Sequence, residues 1–306
     1  MCSEHRQRLQ VLAAFAIVYL VWGSTYLGIR IGVADIPPWL LSGVRNGIAG
    51  LVLMTIGLLR GERLPLIPRD WLHAIVLGVL LVSLGNGLLT WGELYVPSNQ
   101  AALIFTISAL WIAWFGTFGP RGYALTRRVQ IGLVLGFLGT VLMLLPVPHF
   151  SFTHLGAQLV ILIATLAWGV GVLYGRSFKT GVSALMLTGM LLFSGGLWLV
   201  VLGVGLGEPA HWRWSALSFG ALAYLTVIGS ALTYSVYVWL INKTSPDRLG
   251  TVSYVNPAVA IVLGWLVLGE KLTRLQLAGM LVILLGVILV TTRYSLHFRR
   301  RVKTRA

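Results

Sequence analysis

Hydrophobic residues make up 57% of this 306-residue chain and charged residues 10%, against roughly 45–50% and about 25% in soluble domains. So few charges cannot clothe a soluble surface, which excludes a soluble enzyme, a disordered chain and a fibrous one, and leaves an integral membrane protein. The net charge of +15 sits in short loops and in a tail with Arg299, Arg300, Arg301, Lys303 and Arg305, not on a domain that could grip a duplex, so nucleic acid is excluded as a partner.

Apolar segments of spanning length are predicted at 9–29, 39–59, 71–95, 97–117, 127–146, 155–175, 182–206, 215–241, 246–268 and 272–292. The first follows Arg6 and Arg8 and superficially resembles a signal peptide. Its length and the nine spans after it predict a retained helix. With the N-terminus placed in the cytoplasm, 18 Lys and Arg residues fall on the cytoplasmic side and 4 on the other, with Arg45 inside a helix. That bias predicts both termini in the cytoplasm. The tail, 293–306, is expected near anionic headgroups.

The halves of the chain match each other. An offset of 146 places Trp22, Gly23 and Arg30 on Trp168, Gly169 and Arg176. An offset of 147 places Thr126, Arg127, Gly132 and Gly139 on Thr273, Arg274, Gly279 and Gly286, and one of 148 places Trp91 on Trp239 and Ser108 on Asn256. Such a constant offset predicts a duplication, with one five-helix repeat at 9–146 and a second at 155–292. Five is odd, so the repeats are expected to be inverted, with a binding site near the midplane between them. The pairs Gly28/Gly32, Gly43/Gly47, Gly132/Gly136 and Gly171/Gly175 are expected to let helix backbones approach closely.

The chemistry-bearing residues are the polar ones within spans, because lipid penalises them. Arg45 in the second span is either a structural tie or an anchor for an anionic substrate group. Trp22 lies too deep for an interfacial belt, Trp168 matches it, and both are expected to line a cavity. Ser24 and Thr25 either bond their own helix backbone or face that cavity. Asn86 and Asn256 each need partners for four hydrogen-bonding sites, from another helix or from substrate. Pro257 has no N–H and frees the carbonyl of Ser253, so Ser253, Asn256 and Pro257 form an expected polar notch. Glu93 is the one carboxylate within the predicted spans. It is either a structural partner of Arg45 or the protonation site that couples transport.

Sequences such as Walker, GxGxxG, GxSxG and HExxH motifs are absent, and the six His residues are scattered in tails, loops and helix ends. Cys2 is the single cysteine. No catalytic residue, metal site or cofactor is therefore expected. A membrane-embedded lipid-modifying enzyme would need a clustered acid/base constellation, and a structural membrane partner would not need buried Asn, Arg and Glu; these are the alternatives to a carrier.

Several segments resemble one family. They are Trp22-Gly23-Ser24-Thr25-Tyr26, Arg45, Trp91-Gly92-Glu93-Leu94-Tyr95-Val96-Pro97-Ser98 with Ala101-Ala102-Leu103, Asn256-Pro257-Ala258-Val259-Ala260, and Gly269-Glu270-Lys271-Leu272-Thr273 with Gln276, Gly279 and Gly286. In order and spacing the chain is similar to the EamA family of the drug/metabolite transporter superfamily over residues 10–292. The resemblance implies ten helices in two inverted repeats and a secondary transporter of small metabolites. It further implies a multi-pass inner-membrane location, frequent export of amino acids or related amphipathic compounds, and a central cavity to which Trp91 is assigned. The protein is expected to be a monomer or homodimer. The first repeat departs from the pattern, with Tyr123 at the position matching Glu270 and Ala109 at the one matching Pro257.

Overall fold

In the computed structural model, the described residues are 2–65, 67–115, 126–144, 152–178, 180–241, 252–271 and 273–291. Among them the chain is all helical, with no strand. The helices are α1 (Cys2–Gly32), α2 (Pro38–Leu59), α3 (Pro68–Gly92), α4 (Ser98–Phe105), α5 (Ser108–Phe115), α6 (Arg127–Leu144), α7 (Phe152–Ser177) and α8 (Ala184–Gly205). After them come α9 (three consecutive stretches, Ala216–Tyr224, Leu225–Leu232 and Thr233–Ile241), α10 (Val252–Leu268) and α11 (Arg274–Thr291). Six of these contain stretches long and apolar enough to cross a membrane: Leu9–Gly32, Pro38–Leu59, Pro68–Gly92, His154–Gly175, Ala184–Gly205 and Ala216–Tyr237. Shorter apolar stretches are Ser98–Ile112, Val255–Leu268 and Leu277–Gly286. The predicted span 97–117 is two helices, because the backbone tightens at Thr106 and Ile107, whose N–H groups bond carbonyls three residues back. The tail 293–306, Tyr123 and the start of the predicted span at 246–268 lie outside the described residues.

Proline starts and side-chain caps fix the helix ends. Pro38 and Pro68 stand in the first turns of α2 and α3, where a missing N–H costs nothing. Ser183 caps α8 by accepting from Met186 N, and its hydroxyl donates to Glu62. Ser215 and Ser218 cap α9 reciprocally. At α2, Glu208 supplies the cap from across the molecule, accepting from Trp39 N at 3.3 Å and Leu40 N at 2.8 Å. Glu62 and Glu208 stand 146 residues apart, the same offset that relates Trp22 to Trp168.

Glycine lets two helix pairs touch backbone to backbone. A Cβ on Gly43 would lie 3.0 Å from Gly196 O, and one on Gly50 would lie 2.7 Å from Gly189 O, so α2 and α8 meet without intervening side chains. The same holds for α6 and α11, where a Cβ on Gly139 would lie 2.7 Å from Gly279 O and one on Gly286 would lie 2.6 Å from Gly132 O. In lipid, where water does not drive apolar faces together, such approach is what van der Waals packing can use. Around these pairs, α1 packs on α10 and α9, while α7 packs on α4, α5 and α3.

Two stretches are wound more loosely, as π-helix: Gly78–Gly87 in α3 and Leu225–Leu232 in α9. Their starts are 147 residues apart. Side chains back the widened turns: Asn86 Nδ2 donates to Leu81 O and Thr233 Oγ1 to Ile228 O, each five residues back. Both stretches border the same central space, and π-turns of this kind recur at functional sites.

Candidate functional site: a central aromatic cavity

The central space is a cavity of ≈ 170 Å³, counted as room for the centres of water-sized spheres. Its wall includes Trp22, Thr25, Arg45, Asn86, Trp168, Asn256 and Pro257, which were expected from the sequence. It also includes Tyr26, Phe105, Ser108, Ser230, Tyr234 and Tyr237, which were not singled out as site residues. Residues at matched offsets share its lining: Trp22 and Trp168, Asn86 and Tyr234, Ser108 and Asn256. The lining runs from Ile29 and Arg45 at one end to Ile112, Val172, Tyr237 and Val252 at the other. The latter lie near the helix ends on the side where α1 begins.

The rings form the walls. Trp22 meets Tyr234 edge-on at 5.3 Å between centroids and Tyr237 at 4.7 Å. Trp168 meets Phe105 edge-on at 5.6 Å. These are the tilted and edge-to-face geometries that ring quadrupoles favour. Trp22 Nε1 donates to Gly229 O at 3.2 Å, which fixes the indole against the π-helical stretch. Gly23 is needed behind it, because a Cβ there would lie 2.5 Å from Val259 Cβ.

The polar floor is a hydrogen-bonded chain. Arg45 Nη2 donates to Asn86 Oδ1 at 3.1 Å, and Asn86 Nδ2 donates to the Tyr234 hydroxyl at 3.2 Å. Arg45 can only donate, so this chain orients the Asn86 amide. Beside it Ser230 Oγ donates to Asn46 Oδ1 at 3.1 Å. Arg45 is 3% exposed and its Nε has no partner; Asn256 Oδ1, also buried, has none. Thr25 and Ser24 bond their own helix, to Trp22 O and Val21 O. Ser24 also pairs with the Tyr224 hydroxyl at 2.6 Å, whereas Thr25 both bonds its own helix and lines the cavity.

Two expectations need correction. Arg45 and Glu93 do not form a hydrogen-bonded pair: Arg45 turns to Asn86, and both oxygens of Glu93 are buried without a partner. Arg45 is instead held by the Asn86 amide, while Glu93 sits just past the last turn of α3, where the backbone carbonyls of Glu93 and Leu94 accept from Arg30 Nη1. Trp91 does not line the cavity; it packs on the apolar cluster of Leu89, Ile161 and neighbours and tilts against Tyr95 at 5.2 Å. The side chain of Ser253 lies outside the described residues.

Away from the start of α1, polar contacts tie helix ends together. Glu270 accepts from Ser98 N at 2.8 Å, Ser98 Oγ at 2.8 Å and Asn99 N at 3.0 Å, capping α4. Gly269, at φ +66°, makes the turn that delivers this carboxylate. Asp35 accepts from Ser215 Oγ at 2.5 Å, and its carbonyl accepts from Arg213 N at 2.9 Å.

An aromatic cavity with a polar floor, inside a helical bundle of apolar spans, is the arrangement of a membrane carrier. Comparison with known proteins agrees. The EamA-like transporter family matches twice, at residues 9–145 and 155–292, and the chain belongs to that family. It is a multi-pass membrane protein. It is 36% identical over 290 residues to the uncharacterized inner membrane transporter YedA of Escherichia coli (strain K12), covering 94% of this chain and 92% of that one. It is 24% identical to the uncharacterized transporter YoaV of Bacillus subtilis (strain 168), covering 96% and 100%, and 28% identical to protein PecM of Dickeya dadantii (strain 3937), covering 92% and 93%. A solved crystal structure shares the fold with a TM-score of 0.65 at 22% identity, covering 92% of this chain and 97% of that chain.

Proposed function

We propose that the chain is an inner-membrane secondary transporter, an exporter of small amphipathic metabolites of which amino acids are one class. It works by alternating access around the central cavity, between inverted five-helix repeats at 9–146 and 155–292. The carrying observation is that matched positions of the two repeats, Trp22 with Trp168 and Asn86 with Tyr234, line one cavity, as a site between two inverted halves requires. The double family match and the equivalent caps of Glu62 and Glu208 support the same reading. The charge bias supports a cytoplasmic start for α1, and in that orientation the contacts of Glu270 and Asp35 lie on the outer side. The inner-membrane assignment is supported by the similarity to YedA.

In the same reading Glu93 carries the coupling proton. The groups acting on it are Arg30 and Tyr26 from α1, Arg45 from α2, and Glu270 from the connection between α10 and α11. A carboxylate with two unpartnered oxygens in that setting changes its charge when its surroundings open to water. Counterflow in proteoliposomes against a panel of metabolites tests the transport reading, and the absence of exchange for every member refutes it. Glu93→Gln keeps the shape and removes the charge. It should exchange substrate without responding to an imposed pH gradient; an unchanged response assigns Glu93 a structural role.

A further inference from the structure

The cavity wall is chemically one-sided. Among its described lining residues Arg45 alone carries a charge at neutral pH, and no carboxylate lines it. The guanidinium is 3% exposed, holds Asn86 with Nη2 and leaves Nε unsatisfied. A cation that lines the cavity as its sole charge is a receptor for an anionic acceptor, and the planar fork suits a carboxylate best. A cationic substrate would meet the opposite situation. It would share the space with Arg45 and find only neutral acceptors, such as Asn256 Oδ1, and ring faces. Glu93 acts on Arg45 through space, but it makes no hydrogen bond to it and does not line the cavity. The rest of the wall is aromatic, with Trp22, Phe105, Trp168, Tyr234 and Tyr237 around the space. A volume of ≈ 170 Å³ is close to the roughly 150 Å³ cavity that takes a benzene ring.

We propose that the substrate is a flat organic anion, a carboxylate on a single-ring body, whose acid group is held by Arg45 and whose ring lies between the aromatic side chains. This narrows the range of metabolites given above to compounds with net negative charge, and sets cations and zwitterions aside. It rests on the cavity being the transport site.

The probes are 3-phenylpropionate, its amide, 3-phenylpropylamine and phenylalanine, which share a ring and chain and differ in charge. Calorimetric titration of the purified full-length protein should show 3-phenylpropionate binding at least about tenfold tighter than the other three, a gap of about 1.4 kcal/mol. Arg45→Gln should erase that preference. Asn86→Asp, which keeps Arg45 in place and gives it an internal carboxylate, should weaken the acid more than the amide. Tighter binding of the amine or of phenylalanine overturns the proposal. So does failure of all four to bind, or a preference for the acid that survives both substitutions. Counterflow of labelled 3-phenylpropionate separates the two readings. Arg45-dependent binding without exchange leaves the anion site standing and removes transport, whereas exchange of the amine alone keeps transport and removes the anion site.

Discussion

Glu270→Gln tests whether the cap on α4 is a gate. The wild-type carboxylate accepts three hydrogen bonds, from Ser98 N, Ser98 Oγ and Asn99 N, at 2.8, 2.8 and 3.0 Å. An amide keeps one acceptor oxygen, turns an NH₂ toward a backbone N–H, and loses the charge that strengthens such bonds. Loss of a helix cap costs about 0.5–2 kcal/mol. A bias of one to two kcal/mol moves a two-state equilibrium about 5- to 30-fold. The cap ties the connection after α10 to the start of α4, so the substitution should shift the protein toward a form in which these helix ends are further apart. Spin labels at Tyr95 and Leu268, both solvent-accessible positions flanking the cap, report the change. Double electron–electron resonance in nanodiscs should show a longer-distance population that grows 5- to 30-fold over wild type. An unchanged distance distribution accompanied by lower thermal stability would refute the gating argument and make Glu270 a simple helix cap.

Three further outcomes follow from the same contacts. Asn86→Leu strips partners from Arg45 Nη2 and the Tyr234 hydroxyl; thermal unfolding in detergent should show a loss of about 1–3 kcal/mol per orphaned group, and no loss would mean that water or substrate satisfies them. Burial pushes the Glu208 carboxyl above its ordinary value of 4.5, against the pull of the Leu40 and Trp39 N–H groups and of His211. The native state then holds this proton more tightly than the unfolded chain, so its contribution to stability is present at low pH and lost as pH rises from 4.5 through the raised value; apparent melting temperature against pH should flatten in Glu208→Gln, and an identical slope counts against the assignment. Externally added thiol reagent should modify a Cys at Asp35 or His211 and spare one at Arg121 or Arg301, the opposite pattern reversing the orientation drawn from the basic residues.

Much of the site was legible because polarity inside an apolar span is conspicuous. Arg45, Asn86 and Asn256 stand out for the cost of burying them, and Trp22 and Trp168 for their matched offset. All five line the cavity. Tyr26, Phe105, Tyr234 and Tyr237 were missed because an aromatic residue in an apolar helix looks like core or like lipid contact. Tyr234 did carry a signal, standing 148 residues after Asn86, but the matched residues differ in type. Trp91 was misplaced because its segment resembles the family while its ring faces the apolar interior. The π-helical stretches left no trace in the residue pattern, since a loosened turn changes which side chains share a face without changing their composition. The missing Arg45–Glu93 bond goes with Arg45 being held by Asn86 from another helix, a contact that sequence spacing does not encode.

The glycine contacts between α2 and α8, and between α6 and α11, have a consequence for ancestry and assembly. Under the proposed two-fold relation the contact of Gly43 with Gly196 becomes that of Gly189 with Gly50, and Gly139 on Gly279 becomes Gly286 on Gly132. Each half therefore contributes the same surface to its own counterpart, which is the definition of an isologous dimer interface. A single five-helix ancestor inserting in both orientations could have closed on itself through these contacts. Exchange of the two halves under that relation maps this seam onto itself, so the glycine contacts would be the same in both states of the proposed alternating-access cycle.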